Sequence, residues 1–158
     1  MPTIYKSEDG ARAIHARYRE ILSQWPVQNR QFTVPTRAGE TFIIACGPED
    51  APPVLLFHGS ASSSFMWLND SATWAKDFRL YAIDLIGEPG LSARTRYRPG
   101  TEEHALWLDD VFQALSLNST SLVGVSYRSR NVPAPLRRVK VDGGLAEQRG
   151  PQCPGMTA

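Results

Sequence analysis

Apolar positions along the chain switch repeatedly between helical and strand spacing, and each switch predicts an element. Between residues 8 and 25, Ile14, Tyr18, Ile21, Leu22 and Trp25 recur at helical spacing, which predicts an amphipathic helix with one packing stripe. Pro26 ends it. Arg30–Val34 and Glu40–Cys46 predict two short strands separated by the turn-forming Pro35–Gly39. Gly47–Pro53 predicts a further turn. Val54-Leu55-Leu56-Phe57 follows as an unbroken apolar run, the pattern of a strand buried on both faces of a parallel sheet.

A helix near Phe65–Lys76 and a buried strand at Arg79–Leu85 come next. Gly87, Pro89 and Gly90 then break the chain. Thr101 is the expected N-cap of a helix with Glu102 and Glu103 in its first turn and Ala105, Leu108, Val111, Phe112 and Leu115 on its apolar face. Ser121–Val125 predicts one more buried strand, ending at Ser126. Strands alternating with helices predict an α/β fold, a mostly parallel sheet covered by helices.

The pattern fails after Ser126, where another helix should follow. Pro133 and Pro135 would each cost about 3 kcal/mol inside a helix. Composition changes at the same point: net charge is −3 over residues 1–126 and +4 over 127–158, and proline plus glycine rises from 16 of 126 residues to 8 of 32. Two regions are therefore expected, a partial α/β domain over 1–126 and an irregular basic tail over 127–158. A C-terminal half that is absent, or replaced by out-of-frame sequence, accounts for both changes together. The tail lacks the aromatic interleaving of nucleic-acid modules, so no nucleic-acid partner is expected.

Within 158 residues, 42% are hydrophobic and 21% charged, the composition of one soluble globular domain. No apolar run reaches the roughly 20 residues needed to span a bilayer, so no membrane partner is expected. The polar N-terminus has no signal-peptide centre, which makes cytoplasmic residence the expectation. Cys46 and Cys153 are far apart and form no metal or redox motif. With no metal cluster, phosphate loop or dinucleotide fingerprint, no cofactor is expected.

Three ordered motifs carry chemistry. His58-Gly59-Ser60 stands after the first buried strand; Asp84-x-x-Gly87-x-x-Gly90-x-Ser92 stands after the second; Gly124-Val125-Ser126 ends the third. With Trp107-Leu108-Asp109-Asp110 in the helix between, residues 29–126 resemble the N-terminal half of α/β-hydrolase fold proteins, and within them bacterial serine carboxylesterases. The resemblance implies an eight-stranded sheet and a triad in the order Ser, Asp/Glu, His. It makes Ser126 the nucleophile, attacking an ester carbonyl and passing through an acyl-enzyme. The backbone amides of Tyr127 and Ser60, or Ala61 in place of Ser60, would hold the oxyanion. His58, Gly59, Asp84, Gly87 and Gly124 would shape the loops. A small-molecule ester is the implied substrate. Serine at the elbow argues against dehalogenase or epoxide hydrolase chemistry, while carbon–carbon bond hydrolases and cofactor-free haloperoxidase-like enzymes stay open.

The elbow needs a small residue two positions either side of the serine; Gly124 meets this and Arg128 does not. His15, His58 and His104 all precede Ser126, and Asp142 and Glu147 are the only downstream carboxylates. His15 and His104 are expected at the surface and His58 in a loop-shaping role, so no triad base or acid is identified. The chain is expected to be inactive as it stands. The alternative is a noncatalytic interaction protein built on half a hydrolase fold.

Overall fold

The computed structural model describes residues 4–97 and 101–125. Helix α1 runs Glu8–Leu22, capped by Ser7, whose hydroxyl accepts the Gly10 N–H at 3.0 Å. Ala11, Tyr18 and Leu22 form its buried stripe, whereas Ile14, expected to pack, is half exposed. The stripe is thus narrower than the apolar pattern. Trp25 is buried beyond the end of the helix.

Strands β1 (Asn29–Thr36) and β2 (Gly39–Cys46) form a hairpin longer than expected, closed by Arg37 and Ala38. Pro35 lies inside β1 opposite Glu40. That position is tolerated because β1 is an edge of the described sheet, where a missing N–H breaks no second ladder. β3 (Pro53–Phe57) follows, then a 3₁₀ turn at Ser64–Trp67, helix α2 (Leu68–Trp74) and β4 (Arg79–Ile83). α3 (Glu103–Ala114) leads to β5 (Ser121–Gly124).

The sheet order is β1-β2-β4-β3-β5. β2 is antiparallel to β1 and β4; β3 is parallel to β4 and β5. β3 therefore has a strand on each side, and its side chains alternate between two cores. Val54 and Leu56 join Tyr18, Leu22, Trp67 and Leu80 on the α1–α2 face. Leu55 and Phe57 join Ile83, Trp107, Val111 and Phe112 on the α3 face. An apolar run with no polar alternation is what two covered faces require.

Three expectations need correction. Thr101 is not the cap of α3: Glu102 holds that position, and the Thr101 hydroxyl donates to Glu103 Oε2 at 2.9 Å. Ala105 is exposed and Trp107 takes its place in the core, where its indole N–H donates to Thr41 at 2.8 Å. β5 is not a buried strand, since Leu122 and Val123 are only half-buried and Ser121 and Gly124 are exposed. Among the described residues it pairs with β3 alone, and an edge strand cannot be covered as a central one is.

Candidate active site

Parallel pairing brings the carboxyl ends of β3, β4 and β5 to one edge of the sheet, and each is followed by one of the three motifs. β3 and β5 stay together to their last residues: Phe57 lies opposite Gly124, and the Val125 N–H donates to the Phe57 carbonyl at 3.2 Å. The residue before His58 is thus bonded to the residue before Ser126. Ser126 and Tyr127 themselves lie outside the described residues.

His58 is 1% exposed and bridges two loops. Leu85 N–H donates to its Nε2 at 2.9 Å, and its Nδ1 meets the Gly59 carbonyl at 2.8 Å. An amide can only donate, so Nε2 accepts and the proton sits on Nδ1. Burial favours this neutral ring and pushes its pKa below the ordinary histidine value, with Asp84 and Glu88 opposing more weakly. Both nitrogens are spent on backbone, which leaves neither to take a proton from a serine hydroxyl.

The other two histidines were expected at the surface, and both are half-buried instead. His15 Nε2 lies 3.0 Å from the Tyr5 hydroxyl. His104 packs edge-on against Tyr97 with ring centroids 4.4 Å apart.

Asp84, fully buried, is the hub of this end of the molecule. Its Oδ1 accepts the Tyr18 hydroxyl and the Ser64 N–H, each at 2.8 Å; its Oδ2 accepts the Leu91 N–H at 2.8 Å. The Ser92 hydroxyl donates to the Asp84 carbonyl at 2.6 Å and accepts the Phe42 N–H at 2.8 Å. One carboxylate thereby ties α1, the segment after β3 and the loop after β4. Burial, then the Asp84 charge, raise the Tyr18 phenol's pKa, so this hydroxyl stays a donor at all ordinary pH.

Glycines set the loop paths. Gly90, at φ +156°, approaches so closely that a Cβ would lie 2.6 Å from Asp84 Oδ2. At Gly87, φ is +75° and a Cβ would meet the Thr95 carbonyl oxygen at 2.6 Å. Gly124 differs: among the described residues, a Cβ there would meet Phe57 at an ordinary 3.7 Å. Its need to be small is not imposed by β3.

The loop after His58 carries the two candidate oxyanion amides. Ser60 is exposed, and its N–H has no hydrogen-bond partner among the described residues. Ala61 has a left-handed backbone, φ 58°, and its N–H donates to Glu88 Oε2 at 2.8 Å. Glu88 and Ser64 were given no role in the sequence, Ser92 stood there only as a motif position, and Tyr18 only as a member of the helical stripe. The motif spacing flagged only the position of Ser92, and nothing in a helical stripe distinguishes a tyrosine that donates from one that merely packs. Among the described residues, no three His, Cys, Asp or Glu side chains are grouped to hold a metal ion, and no helix is long and apolar enough to cross a membrane.

A sheet of this order, covered on both faces and bearing its loop motifs at the carboxyl ends of β3 and β4, is that of an α/β-hydrolase; the chain belongs to the α/β-hydrolase fold superfamily. Its relatives are carboxylesterases. It is 41% identical over 120 residues to the carboxylesterase nap of Bacillus subtilis, covering 76% of this chain and 40% of that protein. It is 42% identical over 119 residues to the carboxylesterase YbfK of the same organism, covering 75% and 40%. The crystal structure of naproxen esterase (carboxylesterase NP) from Bacillus subtilis superposes with a TM-score of 0.69 at 41% identity, over 77% of this chain and 42% of that one. The chain thus spans about two fifths of the length of these relatives. No family model matches it.

Proposed function

We propose that the chain is part of a serine ester hydrolase acting on small-molecule carboxylic esters, with Ser126 as nucleophile and an acyl-enzyme intermediate. The observation that carries this reading is the Val125–Phe57 hydrogen bond. It sets Val125, the residue before Ser126, against Phe57, the residue before the His58–Ser60 loop, and so supports a reading in which that loop offers the amide donors. In this reading Ser126 Oγ attacks the ester carbonyl carbon. The carbonyl oxygen takes the negative charge and is held by the amides of Ser60 and Tyr127; the C–O bond to the leaving group then breaks, and the alcohol departs with the proton the serine gave up. Water attacks the acyl-enzyme next, releasing the acid and regenerating the serine.

The three histidines of the sequence leave Ser126 without an identified general base, because His58 has both nitrogens committed and the others sit in packing contacts with Tyr5 and Tyr97. The 158-residue chain is therefore proposed to be a poor catalyst whose acylation step is nonetheless accessible to activated esters.

Incubating the protein with p-nitrophenyl acetate and reading acylation by mass spectrometry tests this. Acetyl adduct on the peptide containing Ser126, lost in Ser126→Ala, is the expected result. A folded, monodisperse sample in which neither protein is acylated there would instead favour a noncatalytic interaction protein built on the same fold.

A further inference from the structure

Glu88 reaches from the loop after β4 across to the loop after β3 and seats its carboxylate on the Ala61 amide. Several features hold it there. The loop that bears it is closed back onto its own first residue, Asp84, by the Leu91 N–H and the Ser92 hydroxyl. Gly87 N–H donates to the Ala93 carbonyl at 3.0 Å, and Glu88 N–H to the Leu85 carbonyl at 3.2 Å, closing the turn. The recipient is unusual as well. Ala61 and Ser116 are the only non-glycine residues with positive φ among those described. A left-handed alanine is strained and persists only when its surroundings hold it. A charge-assisted bond from its own N–H, beside the Ser62 N–H to Gly59 carbonyl bond at 3.3 Å, is such a hold.

We infer that Glu88 is a positioning residue of the oxyanion loop: its carboxylate fixes Ala61 in the left-handed conformation, consumes that amide, and leaves the Ser60 N–H as the donor this loop offers to the substrate. The inference rests on the ester-hydrolase reading for its catalytic meaning and on the Glu88–Ala61 contact for its geometry. An amide already bonded to a carboxylate cannot also serve an oxyanion, so the choice between Ser60 and Ala61 falls on Ser60. The same bond fixes the plane of the Ser60–Ala61 peptide, one Cα away from the peptide that carries the Ser60 N–H. Oxyanion donors act by being in place before charge develops, and a misdirected one is lost to the rate while substrate binding is spared.

The test uses the full chain in three forms: wild type, Glu88→Gln, which keeps an acceptor oxygen, and Glu88→Ala, which removes it. In ¹⁵N–¹H spectra the Ala61 amide proton of the wild type is expected downfield. It should move upfield in Glu88→Ala with amide exchange about tenfold faster, and be largely restored in Glu88→Gln. With p-nitrophenyl acetate, the maximal acylation rate of Glu88→Ala should fall about tenfold, with half-saturation within about twofold of wild type and Glu88→Gln within about threefold. An Ala61 signal indifferent to both substitutions overturns the proposal. So does a shifted Ala61 signal accompanied by an unchanged acylation rate. If wild type is not acylated at all, the ester-hydrolase reading fails and the catalytic role of Glu88 fails with it; the spectra then report separately whether the loop contact exists.

Discussion

Asp84 is fully buried, and the donors to its carboxylate, Tyr18, Ser64 and Leu91, come from three different parts of the chain. A buried carboxylate is tolerated only while such donors remain, and removing one leaves the full desolvation cost uncompensated. Tyr18→Phe deletes the phenol donor without disturbing the packing of the ring. The expected loss is about 1–3 kcal/mol in urea unfolding, and a loss within a few tenths would mean that Asp84 does not depend on the helix. Gly90→Ala probes the same carboxylate from the other side. Its methyl would press on Oδ2 at a backbone angle an L-residue rarely adopts, so a loss of at least about 1 kcal/mol is expected, with little expected of a Ser60→Ala control at an exposed site. These two substitutions strike one carboxylate, so their effects should not add.

At the scale of elements, the strands were legible because β3 and β4 are covered on both faces, and a run such as Val54–Phe57 has few other uses. Helix α3 was legible in its core positions Leu108, Val111 and Phe112, though not in Trp107, whose indole needs Thr41 as a partner 66 residues away. Long-range polar pairing of that kind leaves no trace in local spacing. The same blindness hid Tyr18, Ser64 and Glu88, whereas His58 and Asp84 were visible as parts of motifs. β5 was misread because an apolar sequence says nothing about how many neighbours a strand has. β3 and β5 therefore make a contrast that can be measured. Leu55→Ala, at a fully buried site between two strands, should cost about 2–5 kcal/mol. Leu122→Ala in β5, half-buried and with one neighbour among the described strands, should cost clearly less. Equal losses in thermal or urea unfolding would show that β5 is covered as a central strand is.

For the molecule as a whole, titratable groups held in their neutral forms set the pH range in which the fold is most stable. Burial lowers the pKa of His15, His58 and His104, with Arg94 and Arg19 adding repulsion at His15. The unfolded chain therefore binds protons that the fold refuses once pH drops below the ordinary histidine value of about 6.5. Unfolding then takes up protons, and stability falls as pH falls. On the alkaline side, burial raises the pKa of Cys46, Tyr18 and Tyr97. The unfolded chain releases protons that the fold keeps, beginning near the ordinary thiol value of about 8.5, and stability falls as pH rises. A plateau between about pH 6.5 and 8.5 is the expected profile, read as urea midpoints across pH 5–10. The acid slope belongs chiefly to His58, the most buried of the three rings. His15→Gln and His104→Gln should each leave most of that slope in place. A midpoint that holds steady or climbs from pH 7 to 5.5 would mean that the His58 ring is not held neutral between Gly59 and Leu85, and the loop geometry built on it would have to be redrawn.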